Sequence, residues 1–168
     1  MANTTSDVHS WLNDLIETCK DGENGFREAA DGVQNPALRT VFNEFARQRT
    51  QFAAEFQNLV TRLGGSPATS GSATGALHRG WMNLKSALTG KNDHAILEEA
   101  ERGEDAAVKN YQKVLAEDLP SDVRAVVDEQ YRQILQSHTR IRALRDGGSD
   151  IPETTPAETG VPIGNRII

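Results

Sequence analysis

DHAILEEAERGEDAAVKNYQKVLAE, residues 93–117, indicates the fold class because its apolar residues recur at helical spacing. They define one face of an amphipathic helix: Ile96, Leu97, Ala100, Ala107, Val108, Tyr111, Val114 and Leu115. At about 100° per residue, Glu104 falls inside this apolar arc and Glu101 falls at its edge. A carboxylate on a core face is costly unless it is paired, protonated or bound to a metal ion. The function therefore depends on whether Glu104 is paired with a cation, protonated or bound to a metal ion.

Three further segments carry the same amphipathic pattern, so four long helices are predicted at about 6–31, 36–63, 93–118 and 121–146. Their boundaries carry helix start and stop residues. Asn35-Pro36 begins the second helix, Gly64-Gly65 follows it, and Pro120-Ser121 turns the chain into the fourth. The short loops inside each successive pair predict two antiparallel helical hairpins.

A longer connection, residues 65–92, joins the two hairpins. Its first part is rich in Ser, Gly and Thr and is expected to be a loop, and a short crossover helix is predicted at about 74–89. Such a connection can run the length of a bundle, as in ferritin-like folds with one long crossover. We expect an all-α, ferritin-like four-helix bundle over residues 1–147 and a disordered tail over residues 148–168.

Composition excludes several function classes. The 168 residues suffice for one domain, and the net charge of −6 without a basic cluster argues against nucleic-acid or anionic-membrane binding. The single cysteine, Cys19, lies on an apolar face and is expected to be a buried small hydrophobe in a reducing compartment. Neither a signal peptide nor a membrane-spanning run is apparent, so a cytoplasmic, bacterial-type protein is the expectation.

Each predicted long helix places a polar group on its core face near mid-length. This buried polar layer is predicted to comprise Glu23, Arg49, Glu104, Gln130 and Ser137. The favoured interpretation is structural: Arg49 neutralises Glu23 or Glu104, and Gln130 satisfies the remaining hydrogen bonds. As an alternative, the polar groups of this layer line a pocket and bind a small-molecule ligand. No cofactor is expected on the structural interpretation.

Iron is the alternative cofactor. Ferritin-like di-iron sites use a Glu-x-x-His motif on each of two helices, and this chain has none. The residues three positions before its four histidines are Ser6, Gly75, Lys91 and Leu135. A single weaker metal site would have to use Glu101, Glu104 and His138, with the fixed positive charge of Arg49 in the same layer opposing it.

Several blocks of the chain, in order, resemble an uncharacterised bacterial four-helix-bundle family, domain of unknown function 2383 of the ferritin-like superfamily. They are LNDLIE (12–17), DGENGF (21–26), ALHRGW (76–81), KSALTG (85–90) and GEDAA (103–107). The resemblance covers roughly residues 8–146 and implies a ferritin-like bundle, without implying an activity. Iron or oxygen chemistry follows from the superfamily by analogy only.

The C-terminal tail ends in GVPIGNRII, residues 160–168, a short apolar patch after a Pro/Thr/Glu-rich linker. Its arrangement resembles the peptides that load ferritin-like cargo into encapsulin shells. The candidate docking residues for a protein partner are Val161, Pro162, Ile163, Ile167 and Ile168.

The sequence therefore favours a non-catalytic ferritin-like bundle, with a role in stress physiology inferred only from the superfamily. The alternatives are a divergent iron oxidase or storage-type protein centred on Glu104, and a cargo or adaptor protein that docks through its tail. The low aromatic content, 5%, suggests that helix faces are shared between two copies, so a homodimer is also open.

Overall fold

The computed structural model describes residues 4–72, 78–90 and 92–147, and every regular element in these ranges is helical, which confirms the predicted all-α class. Helix α1 spans Thr5–Gly32 and α2 spans Pro36–Arg62. A 3-10 turn at His78–Trp81 and the short helix α3, Leu84–Thr89, follow in the crossover. Helix α4 spans Asp93–Leu115 and α5 spans Ser121–Arg145. The predicted disordered tail, 148–168, lies outside the described residues.

Local hydrogen bonds fix where the long helices begin. Thr4 and Asp7 form a capping box at the start of α1, in which each side chain bonds the other residue's backbone N–H. The Asn35 side chain accepts from the N–H of Ala37 at the start of α2, and the Asn92 side chain accepts from the N–H of His94 at the start of α4. These caps use short polar side chains that the sequence places just before each apolar pattern.

Contacts between side chains show that neighbouring long helices run antiparallel. Thr18 of α1 contacts Asn110 of α4, while Gly25, seven residues later, and Gly103, seven residues earlier, both lie against the ring of Trp81. Because α1 is also antiparallel to α2 across their short loop, α2 and α4 run parallel to each other. The segment between them must therefore return along the length of the molecule.

Helices α2 and α5 also run antiparallel. Arg140 of α5 lies 3.5 Å from Glu44 near the start of α2, and Gln130 of α5 lies 2.9 Å from Glu55 further along it. The two helical hairpins thus lie side by side, with α1 against α4 and α2 against α5.

Polar side chains hold the connection in place at both of its ends. Asn13 of α1 accepts from the N–H of Ala68 at 2.8 Å and donates to the carbonyl of Ser66 at 3.1 Å. At the start of α4, the carboxylate of Asp93 accepts from the N–H groups of Gln34 and Asn35 at 2.8 and 3.0 Å. The α1–α2 loop is thereby tied to the end of the crossover.

The predicted crossover helix at about 74–89 is wrong over its described part, because residues 78–89 form two short elements with a break at Met82-Asn83. The break lets Trp81 enter the groove between α1 and α4, and it turns the N–H of Asn83 toward the carboxylate of Glu99, 3.0 Å away. Helix α4 also ends at Leu115, three residues before the predicted end. The N–H of Glu117 bonds the carbonyl of Val114, which tightens the last turn, and Arg124 donates to the carbonyls of Leu115 and Glu117.

The apolar core is divided into two clusters by polar residues. One cluster includes Phe52 and Phe56 of α2, and the other includes Phe42 and Phe45 of the same helix. Arg49 lies between them in sequence, as Glu104 and Ser137 do on α4 and α5. Within the described ranges, no helix has the length and apolarity needed to cross a membrane.

Candidate functional site

The centre of the polar layer is a buried ion pair between α2 and α4. Arg49 Nη2 donates to both carboxylate oxygens of Glu104, at 2.7 and 2.8 Å. It also lies 2.9 Å from Ser137 Oγ of α5, and that hydroxyl contacts Glu104 Oε2 as well as the carbonyl of Ile134. The three side chains are 2%, 1% and 2% exposed, so the pair lies in a low-dielectric interior where each charge depends on the other.

Aromatic rings and a glycine complete the surroundings of Arg49. Its guanidinium carbon lies 5.5 Å from the ring centroid of Phe26 and 5.9 Å from that of Phe52, within the range of cation–π attraction. Gly22 of α1 leaves room for the arginine stem, because a Cβ there would lie 3.3 Å from Arg49 Cγ. The Nε atom of Arg49 has no hydrogen-bond partner among the described residues, so the site satisfies this cation only partly.

A second buried network links all four long helices. Cys19 Sγ of α1 lies 3.2 Å from Tyr111 Oη of α4, and Tyr111 donates to Gln130 Oε1 of α5 at 2.7 Å. Because a hydroxyl has one proton, the Cys19 thiol must be the donor to Tyr111. Gln130 in turn donates to Glu55 of α2 at 2.9 Å, and Glu55 lines a surface groove of about 540 Å³. The three hydrogen bonds that join Cys19, Tyr111, Gln130 and Glu55 are all directed from the core toward this carboxylate, and Gln130 also donates to the carbonyl of Phe52 at 3.4 Å.

Burial controls the ionisation of this network. Desolvation raises the pKa of Cys19 from 9.0 to about 11, although its hydrogen bond with Tyr111 opposes the shift. Desolvation likewise raises the pKa of Tyr111 well above 10.0, and the neighbouring Cys19 adds to the shift. At neutral pH both groups are protonated, so Cys19 is a structural thiol rather than a nucleophile.

The raised pKa of Cys19 predicts that the protein loses stability at alkaline pH. Between pH 9 and 11 the unfolded thiol ionises before the folded one, so the folded state binds more protons and the free energy of unfolding falls as pH rises. From pH 7.5 to pH 10, the wild type should lose about 1 kcal/mol more than Cys19→Ala. Urea unfolding of both proteins at the two pH values measures this difference. Equal losses would mean that the thiol titrates normally in the folded state.

The structure brings together only part of the predicted polar layer. Arg49, Glu104 and Ser137 form one cluster, whereas Gln130 belongs to the second network. Glu23 is 6% exposed and pairs on its own helix with Lys20 at 3.3 Å and Arg27 at 2.9 Å. Of the two carboxylates expected to pair with Arg49, the ion pair forms with Glu104.

The three candidate metal ligands have separate partners. Glu101 pairs with Arg142 at 3.3 Å and with Arg145, and His138 Nε2 lies 2.5 Å from Asp105 Oδ1 rather than beside Glu101. Across the described part of the chain, no group of three or more His, Cys, Asp or Glu side chains is placed to hold a metal ion.

An iron site centred on Glu104 does not fit these residues. Both oxygens of Glu104 accept hydrogen bonds from Arg49, and a metal ion would have to displace this guanidinium cation from the carboxylate. The displaced cation would then be buried without a counter-ion. The chemistry of this donor set is that of a salt bridge.

Sequence reasoning missed Tyr111 and Glu99 as members of the polar interior, and it missed Glu55 as the exposed end of the second network. Tyr111 was counted only as apolar, although a buried tyrosine hydroxyl usually needs a hydrogen-bond partner, which is a signal that could have identified it. Glu99 is 2% exposed and is held by the N–H of Asn83 and by Arg102. Nothing in the helical pattern of α4 indicates that the crossover would cover Glu99.

The tail residues proposed for partner docking, Val161, Pro162, Ile163, Ile167 and Ile168, lie outside the described residues.

The chain was compared with protein families and with curated proteins. A family model described as Domain of unknown function (DUF2383) matches residues 7–117, from the start of α1 to just beyond the end of α4. The match confirms the family that the sequence blocks resemble, over residues 7–117 rather than 8–146, and includes Arg49 and Glu104. A comparison with curated proteins found no match.

Proposed function

Because this chain belongs to the family described as Domain of unknown function (DUF2383), a description that names no activity, we propose a function from its own residues. It is a non-catalytic helical scaffold with ferritin-like topology, and its central polar cluster fixes how the four long helices pack. One observation carries this proposal. Both carboxylate oxygens of Glu104 accept hydrogen bonds from Arg49, and one also contacts the hydroxyl of Ser137. Ferritin-like enzymes would need free metal ligands at this position.

The ferritin-like topology is supported by the helix directions. Helices α2 and α4 run parallel, and the described parts of the connection between them contact α1 from Asn13 near its start to Gly32 at its end. Up-down bundles with short loops lack such a connection, whereas ferritin-like bundles have one long crossover.

The polar cluster supports the scaffold by penalising wrong packing. If α4 slid by one turn, about 5.4 Å, against α2, Arg49 would lose Glu104 and remain charged in the core. An apolar core alone tolerates such shifts more readily, because hydrophobic contacts are not directional. The Arg49–Glu104 pair therefore selects one register among several that would bury similar apolar area.

Metal content tests this proposal. Untagged protein reloaded anaerobically with Fe(II) and desalted should contain well under one iron per chain by elemental mass spectrometry, because Arg49 blocks Glu104. Glu104→Ala should not change that value. Glu44→Ala, which removes an exposed carboxylate of α2, is the matched control.

One or more tightly held iron ions per chain, lost in Glu104→Ala and kept in Glu44→Ala, would overturn the scaffold proposal. Redox chemistry at Glu104 would then be the better interpretation.

A further inference from the structure

Trp81 occupies a flat slot between two helices. A Cβ atom added to Gly25 of α1 would lie 2.3 Å from the indole ring, and one added to Gly103 of α4 would also lie 2.3 Å from it. Both glycines stand in helix interiors, where glycine is otherwise unfavourable. The two helix backbones therefore form the walls of the slot, and its width matches the thickness of an aromatic ring.

The end of the slot is aromatic. The Phe26 ring meets the Trp81 ring edge to face, with centroids 5.1 Å apart and an interplanar angle of 79°. Phe26 also contacts the guanidinium of Arg49, so the slot ends directly above the buried ion pair. Trp81 is 8% exposed in this position.

The element that carries Trp81 is short and packs mainly against α4, where buried Gly80 lies beside the backbone of Gly103. We call residues 78–89, the 3-10 turn and α3 together, the strap. Besides Trp81, it is anchored by buried Leu84, by Leu88 against Gly32 and by the Asn83 N–H on Glu99. Its α3 helix has six residues and no side-chain N-cap hydrogen bond, and helices this short are unstable alone. Met82, next to Trp81, is 65% exposed.

From these contacts we infer that the strap opens from the α1–α4 groove as one unit, with Trp81 as its latch, and that the vacated slot accepts a planar, uncharged aromatic ring of indole size. Among residues 80–89 only Gly80, Trp81 and Leu84 are buried, and the strap has little local structure of its own, so its order depends on docking. Segments of this kind open at lower free energy than the core. The slot walls belong to long helices, which keep their shape when the strap leaves. A ligand that binds only the open form then shifts the population toward opening.

Trp81→Ala tests the slot, with indole as the probe. Indole at about five times its Kd should raise the Tm of this variant by about 2–4 °C. Trp81→Ala combined with Gly25→Ala is the matched control, because the new Cβ occupies the position of the ring and should abolish the shift. If indole raises the Tm of both variants equally, or does not raise the Tm of Trp81→Ala, the proposed binding slot is contradicted.

Hydrogen exchange of the wild-type protein tests the opening without any substitution. Amides of residues 83–89 should exchange together, and at least tenfold faster than the interior amides of α1 and α4. Saturating indole should accelerate strap exchange and leave the α1 and α4 interiors unchanged, because it binds the open form. Strap amides as protected as those of the long helices, or unaffected by indole, would show that Trp81 is a fixed part of the core.

Discussion

Arg49→Met should lower the free energy of unfolding by about 3–5 kcal/mol, whereas Arg49→Met combined with Glu104→Leu should be nearly neutral or stabilising. The single change leaves the Glu104 carboxylate, 1% exposed, without its cation. The double change removes both desolvated charges and fills their volume with apolar atoms. Ser137 tolerates the double change because its hydroxyl keeps its contact with the carbonyl of Ile134, 2.9 Å away.

Urea unfolding followed by far-UV circular dichroism measures these differences, with Glu104→Leu alone completing the double-mutant cycle. Arg47→Met, on the exposed face of α2, is the control and should stay within about 0.5 kcal/mol of the wild type. If the double variant is destabilised as much as Arg49→Met, the pair is not a self-contained unit, and Arg49 acts through other contacts such as the Phe26 and Phe52 rings.

Gly25→Ala should destabilise the protein by about 1–3 kcal/mol or more, although the same change in an open helix would stabilise it by about 1 kcal/mol. The new methyl group would lie 2.3 Å from the Trp81 ring, and a rigid indole held between two helix backbones cannot move aside by a small rotation. The ring must leave its slot or the helices must separate.

The effect of Gly25→Ala on stability should reverse when the Trp81 ring is absent. In a Trp81→Ala background, Gly25→Ala should be neutral or stabilising, because the helix gains alanine and no clash remains. Gly90→Ala is a control: Gly90 has φ −74° and a Cβ there would meet its nearest atoms at 3.7 Å, so its effect should be small. Thermal unfolding of the four variants gives the comparison. A Gly25→Ala protein as stable as the wild type would contradict the tight slot.

The family and the helical class were accessible from the sequence because both depend on local patterns. Apolar residues at helical spacing, Asn35-Pro36 at one helix start and Gly64 at one helix end identify helices without knowledge of their neighbours. The same angular argument placed Arg49 and Glu104 on core faces, since rotation about a helix axis is set by residue number alone.

Which charged side chains pair with each other depends on the tertiary structure. Residue number does not give the rotation and axial shift between two helices, and one turn of slip is enough to exchange partners. The sequence therefore allows Arg49 to pair with Glu23 or Glu104, and only the packing of the four long helices selects Glu104 and Ser137. His138, a candidate metal ligand together with Glu101 and Glu104, likewise lies against Asp105.

The crossover shows most clearly the difference between what the sequence predicts and what tertiary packing decides. Its sequence carries a helical stripe, and the stripe predicts one helix because no local signal opposes it. The groove between Gly25 and Gly103 exists only when α1 and α4 are packed together, and it admits Trp81 only if the strap breaks after that residue. The sequence by itself determined that there are four long helices, and it placed Arg49 and Glu104 on their core faces. Tertiary packing decided which charges meet and where the crossover breaks, because both are properties of two surfaces in contact.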